Sequence, residues 1–216
     1  TEESTALSSP PPRRAYRSDL RTEQARATRR AVVESAHRLL VERGYQGTTI
    51  DAVADAAGVS RKTVFTAVGG KAALLKLAFD WALAGDDEPV PVAERPEVAE
   101  MLAERDPARL AHLWARFVTT IAARIGTLDQ VLQVAARTEP EIAVLQAESE
   151  ANRRGGAMGF VSNLVAIGGL RDGLTVQQAA DIAGVLMDPM PHLRLVEGAG
   201  WTPAEYADWV ESVGPG

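Results

Sequence analysis

Thr48-Thr49-Ile50-Asp51-Ala52-Val53-Ala54-Asp55-Ala56-Ala57-Gly58-Val59-Ser60-Arg61-Lys62-Thr63-Val64-Phe65 reads as helix, tight turn, helix. Ile50, Val53, Ala54 and Ala57 fall at i, i+3, i+4 and i+7, which is one face of a helix. Thr48 or Thr49 can cap its start by accepting from a free backbone N–H, and Asp51 adds a negative charge in the first turn. Gly58 stands where a left-handed residue closes the helix. Ser60 can cap a second helix, whose Val64 and Val68 turn back on the first. Arg61, Lys62, Thr63 and Thr66 are left facing outward. Cations and short hydroxyl side chains on one exposed helix suit phosphate oxygens and base edges.

Charge points the same way. The net charge is −6, which spread evenly would argue against a nucleic-acid partner. Thr1 to Lys76, however, carries 13 Lys and Arg against 8 Asp and Glu, a net of +5. Leu77 to Gly216 carries 10 against 21, a net of −11. The basic surplus therefore lies with the helix-turn-helix, and the acidic remainder would be repelled by a duplex.

The motif and its flanks resemble the TetR (tetracycline-repressor-type) transcriptional regulators. Upstream, a long amphipathic helix ends at Glu42-Arg43-Gly44-Tyr45, followed by Gly47-Thr48-Thr49. Downstream, Gly69-Gly70-Lys71-Ala72-Ala73-Leu74-Leu75 matches the opening of the helix that links the family's two domains. The resemblance covers roughly Arg26 to Leu77. It implies an all-α fold: an N-terminal three-helix DNA-binding domain plus a C-terminal helical domain for ligand binding and dimerisation. The expected layout is a disordered basic arm over 1–21, the DNA-binding domain over 22–70, and the effector and dimerisation domain over 71–216.

The rest of the chain fits that frame. Ser8-Ser9-Pro10-Pro11-Pro12 favours polyproline-like extension, and Arg13, Arg14, Arg17 and Arg21 follow it. That arm reads either as a solvated tail or as an addition to the phosphate contacts. Thr22 to Arg43 reads as helix with Val32, Ala36, Leu39 and Leu40 inward; Arg26, Arg29 and Arg30 either reach phosphate or form a solvent face. A helix over Lys71–Ala84 precedes an acidic, proline-bearing loop, Gly85 to Pro96. Pro96 to Arg105 is a short helix. Asp106-Pro107 opens a helix to about Ile125, and Leu128, Val131, Leu132 and Ala135 form a separate short one. Thr138-Glu139-Pro140-Glu141 starts a long helix to Ile167, within which Gly155, Gly156 and Gly159 mark close packing or a kink. Thr175 to Gln178 and Thr202 to Glu205 are capping boxes for two further helices, with a short helix from Pro189 to Glu197 between them. The expectation is about nine or ten helices and no strand.

Roles follow from the resemblance position by position. The implied DNA-binding set is Thr49, Ser60, Arg61, Lys62, Thr63, Phe65, Thr66 and Lys71. Thr49 matches a phosphate-contacting position, Arg61 to Thr63 the leading face of the reading helix, and Lys71 the lysine that anchors phosphate. The family usually has Tyr where Phe65 stands and an aromatic or His where Ala67 stands, so two anchoring groups are missing; Phe65 can still pack. Trp114, Phe117, Ile121, Phe160 and Asn163 are the expected effector pocket, with plain core as the alternative. Ala179, Ile182, Ala183, Leu186, Tyr206, Trp209 and Val210 are the expected dimer interface. The implied function is a homodimeric repressor on an inverted-repeat operator, released by a small molecule.

Other classes fare worse. The absence of cysteine excludes disulfides, thiolate metal sites and cysteine nucleophiles together. His37, His112 and His192 lie in separate segments with no metal-binding spacing, and no Gly-x-Ser-x-Gly elbow or phosphate-binding glycine loop occurs. No enzyme, metal or cofactor is expected. No apolar run approaches the roughly 18 residues of a membrane helix, and Thr1-Glu2-Glu3-Ser4 is unlike a secretory signal, so a cytoplasmic protein is expected. A helical ligand-binding or protein-interaction module without DNA binding is the remaining alternative.

Overall fold

The computed structural model describes residues 13–216, with side chains from Arg21 onward. Among the described residues every regular element is helical. In chain order they are α1 (Arg13–Gly47), α2 (Ile50–Ala57), α3 (Arg61–Ala67), α4 (Lys71–Ala84), a 3-10 turn (Val92–Glu94), α5 (Pro96–Ala103), α6 (Pro107–Ala136), α7 (Pro140–Ala166), α8 (Val176–Leu186), α9 (Pro189–His192) running into a π turn (Leu193–Gly198), and α10 (Pro203–Val213).

Two boundaries differ from expectation. α1 begins at Arg13, not Thr22. Nothing between Arg13 and Thr22 breaks a helix, and Ala15, Leu20 and the arginines favour one. The polyproline reading, Ser8 to Pro12, lies outside the described residues, as do the side chains of Arg13, Arg14 and Arg17. The second difference is α6, one unbroken helix where a break near Gly126 was expected. Gly126 is there for packing: a Cβ on it would stand 2.9 Å from Cγ of Leu193.

The other punctuation behaves as the sequence implies. α1 breaks at Gly44, whose φ of 67° and ψ of −179° are not helical. Gly85 ends α4 in the left-handed region, φ 90°. Thr175 and Thr202 both complete capping boxes, with Gln178 and Glu205 as the reciprocal partners. Asp106 caps α6 by accepting from Ala108 N–H. α7 runs straight through Gly155 and Gly159, around which no side chain approaches.

Two apolar cores result. The first gathers Val32, Val33, Leu39 and Leu40 of α1, Val53 of α2, Val64 of α3, Leu74, Leu75 and Phe79 of α4, and Ile125, Leu128 and Leu132 of α6. The second gathers Met101, Leu110, Trp114, Val118, Phe160, Val161, Leu164, Ala179, Ala183, Leu186, Tyr206 and Val210. The first core thus extends past residue 70: α4 and the C-terminal half of α6 complete the N-terminal head. α6 belongs to both cores and ties head to body.

Candidate nucleic-acid interface

The helix-turn-helix is fixed by its caps. Thr49 is extended, and its Oγ1 accepts from Ala52 N–H at 3.1 Å, so Thr49 is the cap of α2. Thr48 is buried instead and donates to the Gly44 carbonyl. Gly58 turns the chain at φ 66° and ψ 32°. Ser60 Oγ then accepts from Thr63 N–H at 3.1 Å and caps α3. Val53 and Val64, both fully buried, bring the two helices together.

What this leaves outward is cationic. Arg61, Lys62, Phe65 and Thr66 are exposed, and Thr63 is half-buried. Arg61 Nη1 rests on both carboxylate oxygens of Asp51, at 2.7 and 2.9 Å, and its guanidinium lies 5.6 Å from the Phe65 ring centroid. Both partners are more than half exposed, so water competes for the pair and the guanidinium is available to a stronger partner. Phe65 does not pack inward; 47% of it is exposed. Val64 holds the inward position, and one residue along a helix turns the side chain by about 100°. Thr66 donates to the Lys62 carbonyl and Thr63 exchanges a hydrogen bond with Ser60, so both hydroxyls keep lone pairs for an outside donor. Lys71, at the start of α4, lies 4.1 Å from the Tyr45 ring centroid, and burial lowers its pKa.

Beside α3 lies an open groove of about 1170 Å³, walled by Arg26 and Arg29 of α1, Thr63 and Thr66 of α3, Leu77 and Trp81 of α4, and Asp87 to Val92 of the loop after α4. Sequence reasoning missed how this loop is held. Arg26 donates through Nε and Nη2 to the two oxygens of Asp87, each at 3.1 Å. Arg30 donates to the same carboxylate at 2.7 Å, and Glu88 also accepts from Arg26. These arginines hold the Asp87 carboxyl far below the usual range. Asp86 is drawn down to about 2 by the forked guanidinium of Arg95 and by Glu88 N–H. The acidic run was visible in sequence; its partners, some 60 residues upstream, were not.

The body's expected site residues sit as follows. Trp114 and Phe160 stack face to face, centroids 4.2 Å apart, deep in the second core. Phe117 packs against that core, Ile121 against the first. Asn163 donates to the Met101 carbonyl at 2.9 Å. The expected dimer residues need correction. Ala179, Ala183, Leu186, Tyr206 and Val210 are buried in the chain's own second core, and only Ile182 and Trp209 are half-exposed. Small residues on α8 seat it on α7 within one chain, so the face turned outward is the opposite one. The outward side of α8 carries Val185, and α7 exposes Met158, Val165 and the open Gly155 and Gly159.

The body also holds polar atoms that pattern reading did not single out. Both ring nitrogens of His192 and the Tyr206 hydroxyl are buried with no hydrogen-bond partner among the described residues, and the two rings meet edge to face, centroids 5.0 Å apart. Burial lowers the His192 pKa and pushes Tyr206 up to about 12.

Comparison with known proteins agrees with this geometry. Residues 32–78 match the family described as bacterial regulatory proteins, tetR family. An HTH-type transcriptional regulator of Bacillus subtilis strain 168, YdeS, is 28% identical over 172 residues, covering 79% of this chain and 80% of that one. The fatty acid degradation regulator FadR from Bacillus halodurans superposes with a TM-score of 0.66 at 14% identity, covering 87% of this chain and 94% of that one. FadR from Bacillus subtilis, solved in complex with stearoyl-CoA, superposes with a TM-score of 0.66 at 16% identity, covering 85% and 95%. At those identities the two FadR structures speak for a shared fold alone.

Proposed function

We propose that the chain is a TetR-family regulator, on the match of residues 32–78 to that family, and that it represses transcription by holding an inverted-repeat operator as a homodimer. The observation that carries this is the capped α2–α3 unit, which buries Val53 and Val64 and turns Lys62, Thr66 and Arg61 to solvent. Arg61 is the candidate base reader, since a forked guanidinium fits the guanine edge. Thr49, Ser60 and Thr63 line the approach to phosphate. Lys71 adds a charge near the backbone, and Phe65 offers apolar contact to a sugar or a thymine methyl. The proposed reading unit is the helix-turn-helix within 22–70, seated on α4 and the C-terminal half of α6, and the rest of 71–216 serves the effector and the second copy.

One recognition helix of seven residues offers few contacts, so tight binding needs two heads, centred about 34–36 Å apart or a multiple of it. A second copy is best placed against the outer face of α7 and α8. Val185 and Val165 are apolar and exposed there, and Gly155 and Gly159 permit close approach. A small effector in the body would change the spacing of the heads and so weaken binding to a rigid two-site operator. Trp114, Phe117, Ile121, Phe160 and Asn163 remain the proposed surround. Tyr206 supplies a hydrogen-bonding group in the same core, with the His192 ring against it. The protein would act in the cytoplasm, where its DNA is.

A titration of fluorescent duplexes from the protein's own upstream region tests this. The expected result is tight binding of an inverted repeat by two chains, with affinity falling steeply as salt rises. Release by a small molecule tests the effector; acyl-CoA compounds belong in the first panel, because one structural neighbour was solved with one. A second reading, a helical binding module without sequence-specific DNA contact, is favoured by the Arg61–Asp51 pair and by Phe65, which lacks a hydroxyl for phosphate. Weak binding indifferent to sequence would decide for it.

A further inference from the structure

The acidic turn after α4 contacts the head in an unexpected place. Asp87 is the buried member of its ion pairs: its side chain is 9% exposed, while Arg26 and Arg30 are 53% and 50% exposed. The two guanidiniums therefore stand at the surface with a carboxylate tucked beneath them. Nε and Nη2 of Arg26 grip the two Asp87 oxygens as a fork, the geometry with which arginine also takes two oxygens of a phosphate. Arg26 and Arg29 line the same open groove as Thr63 and Thr66 of the reading helix. A duplex seated on α3 would run alongside them.

The turn is held from its other side as well. Arg95 clamps Asp86 with two nitrogens and donates to the Val90 carbonyl, and Asp86 in turn accepts from Glu88 N–H. A head meant to lie on a polyanion thus carries acidic side chains bound to its own cations. We propose that Asp87 and Glu88 are an intramolecular substitute for a DNA phosphate, and that Arg26 and Arg30 are additional duplex-backbone contacts which this turn occupies until DNA displaces it. The inference rests on the DNA-binding reading above. It adds two arginines of α1 to the interface and gives the body, through the end of α4, a means of covering them.

The alternative is a simple brace, in which the ion pairs pin the loop and do nothing else. The two differ in sign. With the full chain and a 30-base-pair random-sequence duplex, fluorescence anisotropy across a salt series reads the difference. Asp87→Asn with Glu88→Gln is expected to tighten binding about fivefold or more. It should also steepen the slope of log affinity on log salt by about 0.9 for each phosphate gained. Adding Arg26→Gln and Arg30→Gln should abolish that gain.

Unchanged or weaker binding by the folded acid-turn variant would overturn the proposal. So would a gain that survives loss of both arginines, which would reflect net charge alone. If the variant fails to fold, hydrogen exchange on the parent decides: residues 86–92 should exchange faster when duplex is added, and equal exchange refutes the idea. A parent that binds no duplex at low salt would sink the DNA reading itself. A parent that binds while the variants behave like a brace would sink this inference only.

Discussion

The head and the body are built from the same amphipathic helices but leave different things unsatisfied. In the head, hydroxyl groups close the backbone: Thr49 and Ser60 cap α2 and α3, and Thr48 binds the Gly44 carbonyl. What remains outward is a set of cations with weak or removable partners. In the body, the unsatisfied groups are buried, at His192 and at Tyr206, which shares the second core with the stacked Trp114 and Phe160. A surface for a large, rigid polyanion can be prepared in full before the partner arrives. An interior that must admit a small molecule keeps polar atoms for which its own fold has no use. The difference teaches where to look for each ligand.

The comparison is most easily broken at the cores. Leu40→Ala in the first and Leu164→Ala in the second should each cost about 2–5 kcal/mol, both being fully buried. Because α6 belongs to both, urea melts followed by circular dichroism and by tryptophan emission should coincide. Two separated transitions would show head and body to be independent.

A smaller effect separates the two ligands. Arg61→Ala should cost about 1–3 kcal/mol of operator binding and relax one base position, while Tyr206→Phe should leave DNA affinity unaltered. An operator titration of both variants checks this. Smaller again is a contrast in stability. Ser60→Ala removes a cap and should cost about 1 kcal/mol. Tyr206→Phe removes a buried hydroxyl that has no partner, and thermal melts should show it neutral or slightly stabilising.

The smallest expected effect is with pH. Burial lowers the pKa of His37 in the head and of His192 in the body from the ordinary 6.5. The folded state favours both neutral rings, so their stabilising contribution is complete above pH 6.5 and is lost as pH falls below it toward the folded values. Chemical melts between pH 8 and pH 5 should show the decline, and His192→Gln should reduce it.

How much of this could be read in advance follows from the reach of each signal. Thr49, Gly58 and Ser60 act on residues three or four positions away, and the helix-turn-helix they specify was legible residue by residue. The capping boxes at Thr175 and Thr202 were legible for the same reason. The expected end of α6, at about Ile125, falls too early because what Gly126 does depends on Leu193, 67 residues away in sequence. The arm was misread because only a weak local preference extends α1 back to Arg13. Ala179, Ala183 and Leu186 of α8 were expected to face a second copy and are instead buried in the chain's own core, since periodicity tells which residues share a face but not whether the neighbour is the same chain. Asp51–Arg61 and Asp87–Arg26 are surface ion pairs, and nothing in the order of residues announces such partners.

α6 runs unbroken from Pro107 to Ala136, 30 residues, and at about 1.5 Å each it forms a rod near 45 Å long. Its Trp114 end is clamped by one set of neighbours and its Leu132 end by another. A rod pinned near both ends behaves as a lever: a molecule that wedges beneath one end tilts the other, without any side chain in between changing its rotamer. The stiffness that ties the two cores to one helix would then also be what lets a signal cross the chain.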